Sequence, residues 1–281
     1  MFGRKKTGSI ICPSCGKLVG INDEQCYSCG RRNPGMWGLA PLFRRLGQDL
    51  GFTSLVTWGC VALYIASLII DPREIGMRGM SIMEPSNRSI YLFGASGAIP
   101  IFGYGRWWTV LSAAWLHGNL IHIFFNMLWI RQLAPATSEL YGSSRTVIIY
   151  TASSVVGFLL SSFAGLIFGT IPILGGAQLT IGASASIFGL LGALVVYGRR
   201  GGSSHIGGQA RTYAIILFVF GFMMPNIDNY AHLGGFLGGY AVARWLDPLK
   251  PERGNHMVAA IACLALTALS ILVSILTANV F

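Results

Sequence analysis

The sequence has 281 residues, of which 53% are hydrophobic and only 11% are charged. Soluble domains carry roughly 25% charged residues, so this composition excludes an ordinary soluble protein and indicates a membrane protein. The net charge of +10 does not favour a nucleic-acid partner, because eight of the twenty Lys and Arg residues lie before residue 46 and most others sit between apolar runs. That distribution is typical of residues that orient membrane helices.

Four of the six cysteines form two CxxC pairs, Cys12 with Cys15 and Cys26 with Cys29. Each pair bends the chain so that two thiolates face one ion, and two pairs complete the ligand set of a structural zinc. The alternatives are a disulfide framework or spare thiols, but the basic surroundings predict a cytosolic location, where disulfides are disfavoured. We therefore predict a zinc-ribbon-like domain over residues 1–35, which depends on zinc for folding and which has a stabilising role or a cytosolic partner.

The rest of the chain is predicted to be an all-α polytopic membrane domain over residues 51–281. A linker at 36–50 precedes it, either as a plain tether or as an interfacial helix. The domain contains seven apolar runs, and the fifth, short as it stands, is expected to extend back toward residue 213. The runs span residues 53–70, 111–133, 147–168, 181–197, 215–224, 230–246 and 257–280.

The distribution of basic residues predicts the orientation of these helices. With the basic N-terminus in the cytosol, the even-numbered helices run from the outer side to the inner side. The predicted outer connections 170–180 and 225–229 contain no Lys or Arg, whereas the inner connections carry several. The long outer loop 71–106 is the exception, and its apolar patches predict a segment that lies in the bilayer interface.

Three parallel helices each carry polar groups near their predicted outer ends. Ser184 lies a few residues into the fourth helix, and His232 lies a few residues into the sixth. The second helix carries His117, His122 and Asn126, and the last two share one face because they are spaced i, i+4. Polar groups inside a membrane normally face a bundle interior or a hydrated cavity, so we predict a wet pocket between these helices.

This combination favours nucleophilic catalysis. The imidazole of His232 is the candidate general base for the hydroxyl of Ser184. Asp228 lies at a loop edge, so we predict a dyad without a buried acid. The Ser184 N–H with the side chains of His122 and Asn126 could stabilise an oxyanion. Any one of these residues alone would more simply be a helix-stabilising polar group, but their matched depth on parallel helices favours a site.

The motifs resemble those of the rhomboid family of intramembrane serine proteases. The segment from His117 to Asn126 matches the family pattern HxxxxHxxxN, Gly182-Ala183-Ser184-Ala185 matches its GxSx motif, and the segment from Ala231 to Gly239 matches AHxxGxxxG. The likeness covers about residues 51–281 and leaves the zinc ribbon outside the family core.

The resemblance implies a six-helix bundle with a seventh C-terminal helix, as in some members, and cleavage of single-span membrane proteins without a catalytic cofactor. Ser184 would be the nucleophile, His232 the general base, and His122 with Asn126 the oxyanion site. The predicted supporting residues are His117, Gly182, Phe188, Gly235 and Gly239. The resemblance also implies an active site that opens to the outer side of the lipid bilayer, while cysteine usage and the absence of organelle-targeting features predict a prokaryotic plasma membrane.

Two departures and two decoy serines qualify the resemblance, and the second decoy is Ser186, which lies on a different face of the same predicted helix as Ser184. Ala185 stands where glycine is commoner in the family, and Phe188 stands where tyrosine is often found, but neither change removes a catalytic group. Ser96 lies in a literal GxSG sequence in the long loop, where no membrane helix begins, and is not expected to react. The alternatives are a non-catalytic scaffold that binds client helices and a transporter, which the lack of inverted repeats and intramembrane carboxylates disfavours.

Overall fold

The computed structural model describes residues 7–12, 15–35, 49–79, 81–169, 171, 175–224 and 227–278. Almost all of the predicted linker lies outside these residues. The described chain begins with an antiparallel hairpin of β1 (Ser9–Ile11) and β2 (Leu18–Gly20), and a second hairpin of β3 (Gly76–Arg78) and β4 (Ser81–Glu84) follows the first long helix.

The helices account for most of the described chain. In order they are α1 (Phe52–Ile70), α2 (Asn87–Leu92), α3 (Thr109–Ser112), α4 (Leu120–Tyr141), α5 (Ser143–Phe168), α6 (Ser184–Arg199), α7 (Ser204–Met223), α8 (Asn229–Leu246) and α9 (Gly254–Leu276). Short 3-10 or π segments lie at Pro72–Glu74, Ile99–Gly103 and Ala113–Trp115. The seven long helices follow the predicted order, and the all-α membrane fold is confirmed.

Four of these helices, α1, α5, α7 and α9, are long and apolar enough to cross a membrane. The chain is therefore an integral membrane protein. The shorter apolar helix α6 has 16 residues, or about 24 Å, against a hydrocarbon core of about 30 Å. Because α4, α5, α7 and α8 all pack against it, α6 is shielded by protein along most of its length, and residues 185–196 are buried.

Small residues allow α5, α6 and α8 to pack closely. The backbones of Gly189 and Gly239 are in direct contact, and a methyl group on Gly235 would overlap the backbone of Ala185. A methyl group on Gly157 of α5 would lie 2.6 Å from the Ala231 carbonyl oxygen. A side chain at any of these glycines would push the helices apart. The close packing of α5, α6 and α8 therefore requires that these positions carry no side chain.

Two predicted helix boundaries are wrong. The second long helix begins at Leu120 rather than near residue 111, because the Asn119 side chain accepts a hydrogen bond from the His122 N–H at 2.7 Å and caps the helix there. The apolar residues before it form α3 and a 3-10 turn instead. The fifth long helix begins at Ser204 rather than near residue 213. The prediction missed its first turns because they are helical but too polar to form part of the apolar run.

The long loop between α1 and α4 is anchored to the seventh long helix. The buried guanidinium of Arg106 donates to the carbonyl oxygens of Tyr91 at 3.0 Å and Ser274 at 2.9 Å, and it lies 4.1 Å from the centre of the Tyr91 ring. The Trp108 indole N–H donates to the Ser274 hydroxyl at 3.0 Å. The C-terminal helix therefore fixes the loop, whose predicted place in the bilayer interface stays a prediction.

Candidate active site and candidate metal centre

Ser184 is the first residue of α6, and the turn before it depends on glycine. Gly182 has φ +129°, a left-handed conformation that favours glycine. A methyl group there would also lie 2.6 Å from Nε2 of His122. The first N–H groups of a helix have no partner within the helix. The N-terminus of α6 therefore places backbone N–H donors and the positive end of the helix dipole beside Ser184.

His232 lies in the first turn of α8, where its ring stacks on Phe188 of α6. The ring centroids are 4.3 Å apart with an interplanar angle of 17°. Phe188 follows Ser184 by one helical turn, so the stack holds the imidazole beside the face of α6 that carries the serine. The described structure contains no hydrogen bond between Ser184 and His232, a bond that in many hydrolases tightens only with substrate bound.

The neighbouring donors on α4 point at the space beside Gly182. The N–H of Gly118 donates to Nδ1 of His122 at 3.3 Å, so the neutral ring carries its proton on Nε2. The Nδ2 atom of Asn126 is buried without a hydrogen-bond partner in the described chain and lies 3.8 Å from the position of a methyl group on Gly182. An unpaired buried amide is costly, and an anion beside Gly182 would satisfy it.

His117 is not on the second long helix, contrary to the sequence prediction. It lies before Leu120, is buried, and packs edge-on against His122 with ring centroids 5.1 Å apart. The His117 ring therefore lies where it can support the orientation of His122, and its structural role stays a prediction.

Asp228 has a role that the sequence analysis did not assign. It caps α8, because Oδ1 accepts from the Ala231 N–H at 3.0 Å. Its other oxygen accepts from the hydroxyls of Ser161 at 2.5 Å and Thr180 at 2.7 Å. One carboxylate thus joins α5, the segment before α6 and the start of α8. An Asp at the boundary of an apolar run is a helix-capping signal, but its two other partners are far away in sequence.

The other serines near the site have structural partners. Ser96 of the decoy motif is buried, accepts a hydrogen bond from the Thr109 hydroxyl at 3.3 Å, and pairs through its backbone with Thr180 at 2.7 and 3.0 Å. The buried Ser186 hydroxyl donates to the Tyr150 carbonyl at 2.9 Å, on a different face of α6 from Ser184.

The four N-terminal cysteines form a candidate metal centre. Their Sγ atoms all lie within 4.8 Å of one another, with Cys12–Cys29 and Cys15–Cys26 both at 3.7 Å. A tetrahedral zinc with Zn–S bonds of about 2.3 Å has S–S edges of about 3.8 Å, so the spacing fits one ion. The backbone N–H of Ser28 helps to lower the pKa of Cys26 to about 7, which favours the thiolate.

Among the described residues, an ion pair joins the ribbon to the helical domain. Arg31 follows the second cysteine pair and lies 3.9 Å from Glu252, between α8 and α9. The carboxylate of Glu252 also accepts from the Arg145 N–H at 3.0 Å, at the start of α5.

Comparison with known proteins points to one family. The model of the Rhomboid domain matches residues 104–247. Rhomboid protease GluP of Bacillus subtilis is 32% identical over 185 residues, which are 64% of this chain and 34% of that protein. RHOMBOID-like protein 1 of Arabidopsis thaliana is 25% identical over 200 residues, or 69% and 47% of the two chains. Rhomboid-like protease 3 of Toxoplasma gondii is 27% identical over 193 residues, or 66% of each. The chain spans about a third to two thirds of the length of these relatives.

Proposed function

This chain belongs to the rhomboid family, and on that premise we propose that it is a serine endopeptidase that cleaves transmembrane segments of membrane proteins. The observation that carries the proposal is the arrangement around Ser184. The serine begins a buried helix, the His232 ring is stacked one turn away, and on α4 the unpaired Asn126 amide and Nε2 of His122 face the turn before the serine. Nucleophile, base and oxyanion donors thus meet at one end of the bundle.

The reaction follows from these positions. His232 takes the proton of the Ser184 hydroxyl as the oxygen attacks the scissile carbonyl, and the negative charge forms on the carbonyl oxygen. The Ser184 N–H, His122 Nε2–H and Asn126 amide donate to that oxygen. His232 then protonates the leaving amine as the C–N bond breaks, which leaves an ester on Ser184. A water molecule, deprotonated by His232, hydrolyses the ester and restores the serine.

The imidazole is oriented by packing rather than by an acid. Its Nδ1 atom is buried and has no hydrogen-bond partner among the described residues, while Phe188 covers one face of the ring. This supports a dyad of serine and histidine. Phenylalanine in place of tyrosine keeps the stack, and the buried methyl group of Ala185 is accommodated by Gly157 of α5, where an added methyl group would lie 2.9 Å from it.

The substrate must unwind before it is cut, because a peptide bond in an intact membrane helix is protected by its own hydrogen bonds. We infer that the substrate enters sideways at the site end and unwinds most easily at Gly, Ala or Ser. A substrate with a helix-favouring leucine run in place of such residues should be cleaved much more slowly, and an equal rate would contradict this inference.

The distribution of Lys and Arg in the connections between helices supports one orientation of the chain in the membrane. We infer a cytosolic N-terminus, an active site that opens to the outer side, and a prokaryotic plasma membrane. For the ribbon we infer a structural zinc held by the four cysteines, which closes the two knuckles and leaves no ligand position free. Catalysis itself uses no cofactor in this scheme.

A fluorophosphonate probe tests the proposal directly. Detergent-solubilised wild-type protein should be labelled, the S96A variant should be labelled equally, and the S184A variant should not. No labelling of folded wild-type protein would favour the alternative, a scaffold that binds client helices. Loss of labelling only in S96A would show that the nucleophile is assigned to the wrong serine.

A further inference from the structure

A groove between α6, α7 and α8 extends away from the dyad, and beyond Phe188 and His232 its lining has no part in the proposed reaction. It has a volume of about 520 Å³. One end is closed by the stacked Phe188 and His232, and aliphatic and aromatic side chains line the middle, including Ala214 and Leu237. Because α7 packs only lightly on α8, the groove opens sideways toward the position of the bilayer.

The other end of the groove carries two arginines, Arg199 and Arg211. Arg199 is the last residue of α6, so this end lies opposite Ser184. The Arg199 guanidinium donates to the Tyr240 hydroxyl at 3.0 Å and lies 5.7 Å from the centre of that ring. The groove therefore changes from apolar to cationic along its length.

No carboxylate within the described chain pairs with either arginine of the groove. The neighbouring Arg200, by contrast, lies 3.2 Å from Asp247, which also pairs with Lys250 at 3.5 Å. Two unpaired cations at the mouth of an apolar channel match a ligand with an anionic head and a hydrocarbon tail. Guanidinium groups bind phosphate through paired, charge-assisted hydrogen bonds.

We propose that this groove binds an anionic phospholipid, with the phosphate between Arg199 and Arg211 and one acyl chain along the groove toward Phe188. The Tyr240 hydroxyl holds Arg199 at the mouth. The arginine end is the predicted cytosolic end of the bundle, where anionic headgroups attract basic residues. The proposal does not depend on proteolysis, because neither arginine takes part in the reaction.

The size of the groove favours a lipid chain over a substrate helix. A spanning helix about 30 Å long and about 10 Å wide occupies on the order of 2,400 Å³, several times the volume of the groove. Such a helix would also bring its apolar flank, rather than an anion, to the two arginines.

Lipid retention by the purified full-length protein tests the proposal. The protein is equilibrated with equal amounts of phosphatidylglycerol and phosphatidylcholine of the same chain length, and the lipids that remain bound are counted by native mass spectrometry. We expect wild-type protein to retain one phosphatidylglycerol with a preference of roughly tenfold, as two charge-assisted contacts would provide. The R199Q/R211Q variant should lose the preference.

The matched control is R131Q/R253Q, which removes the same charge at exposed positions outside the groove and should keep the preference. The A214W variant, in which a larger side chain fills part of the groove, should reduce retention of phosphatidylglycerol although both arginines remain. Glycerol phosphate should compete at least tenfold more weakly than the intact lipid.

Four results would overturn the proposal. The first three are an absence of preference in folded wild-type protein, an equal loss in the control variant, and equal competition by glycerol phosphate, which would indicate a phosphate site without a lipid chain. Displacement of the lipid preference by a single-span peptide at equal concentration would identify the groove as a substrate site instead.

Discussion

The seven long helices divide into two groups that are stabilised differently. The helices α1, α5, α7 and α9 are long and apolar enough to cross a bilayer, whereas α4, α6 and α8 fall short of that criterion in length or apolarity. The second group carries all of the candidate catalytic side chains. Polar groups and glycines lower the apolarity of a helix, so the helices that build the site depend on packing against the others for their place in the membrane.

This contrast between the two groups of helices predicts where the chain tolerates amino-acid substitutions. The lipid-facing surfaces of α1, α7 and α9 need apolar side chains but no particular neighbour, whereas α5 is apolar and also packs closely against α6 and α8. A helix inside the bundle needs neighbours at a specific distance, as the contact between Gly189 and Gly239 illustrates. Substitutions on α4, α6 and α8 should therefore have large effects on activity or folding, and comparable substitutions on lipid-facing surfaces should have small ones.

The largest effect is expected at the dyad. S184A and H232A should each reduce cleavage of a single-span substrate in proteoliposomes by at least about 10³-fold, because the nucleophile or its base is lost. S186A, on the same helix but hydrogen-bonded to Tyr150, should retain activity within a few-fold. Equal losses in S184A and S186A would indicate a general effect on α6 and not a catalytic role.

Asn126 offers a test that separates catalysis from folding. Since its buried Nδ2 has no partner in the described chain, N126A should not lower the thermal unfolding temperature. The same variant should lower kcat by about 10²-fold, with little change in KM, because an oxyanion donor acts in the transition state. A loss of stability without a loss of kcat would assign Asn126 to the structure alone.

A pair of glycine substitutions compares the two groups directly. In G239A the new methyl group would meet the Gly189 backbone, and the overlap should destabilise the fold by about 1–3 kcal/mol. In G208A, on α7, nothing lies within 4 Å of the new methyl group, so the better helix propensity of alanine should stabilise by up to about 1 kcal/mol. Unfolding in a mild detergent monitored by thiol reactivity measures both, and equal effects would contradict the division of the helices.

The ribbon should have the smallest influence on the site. C26S should abolish zinc retention, measured by metal analysis of purified protein, because three thiolates leave the tetrahedral site incomplete. Cleavage should fall by no more than a few-fold, since the Arg31–Glu252 contact lies beyond the last residue of α8, at the opposite end of that helix from His232. A much larger loss of cleavage with intact folding would show that the ribbon controls the active site.

Much of the architecture could be predicted because apolarity and spacing are local properties. Seven apolar runs predict seven long helices in order, and CxxC spacing predicts that four thiols can meet. The boundary errors arise where that signal is indirect: the run before Leu120 is apolar but bends at the Asn119 cap, and the start of α7 is helical but polar. The Asn119 cap decided the first boundary, and the polar residues of the first turns of α7 concealed the second.

Sequence patterns alone indicate which residue types lie near helix ends, and they predict a serine, two histidines and an asparagine as site candidates. The contacts that hold these side chains in place are visible only in the folded protein. The stack of Phe188 on His232, the aim of Asn126 at Gly182 and the three-element contact of Asp228 all join segments far apart in the chain. Such contacts depend on helix rotation and on the close approach that glycines permit, and a periodic pattern along one segment carries no information about the rotation of another.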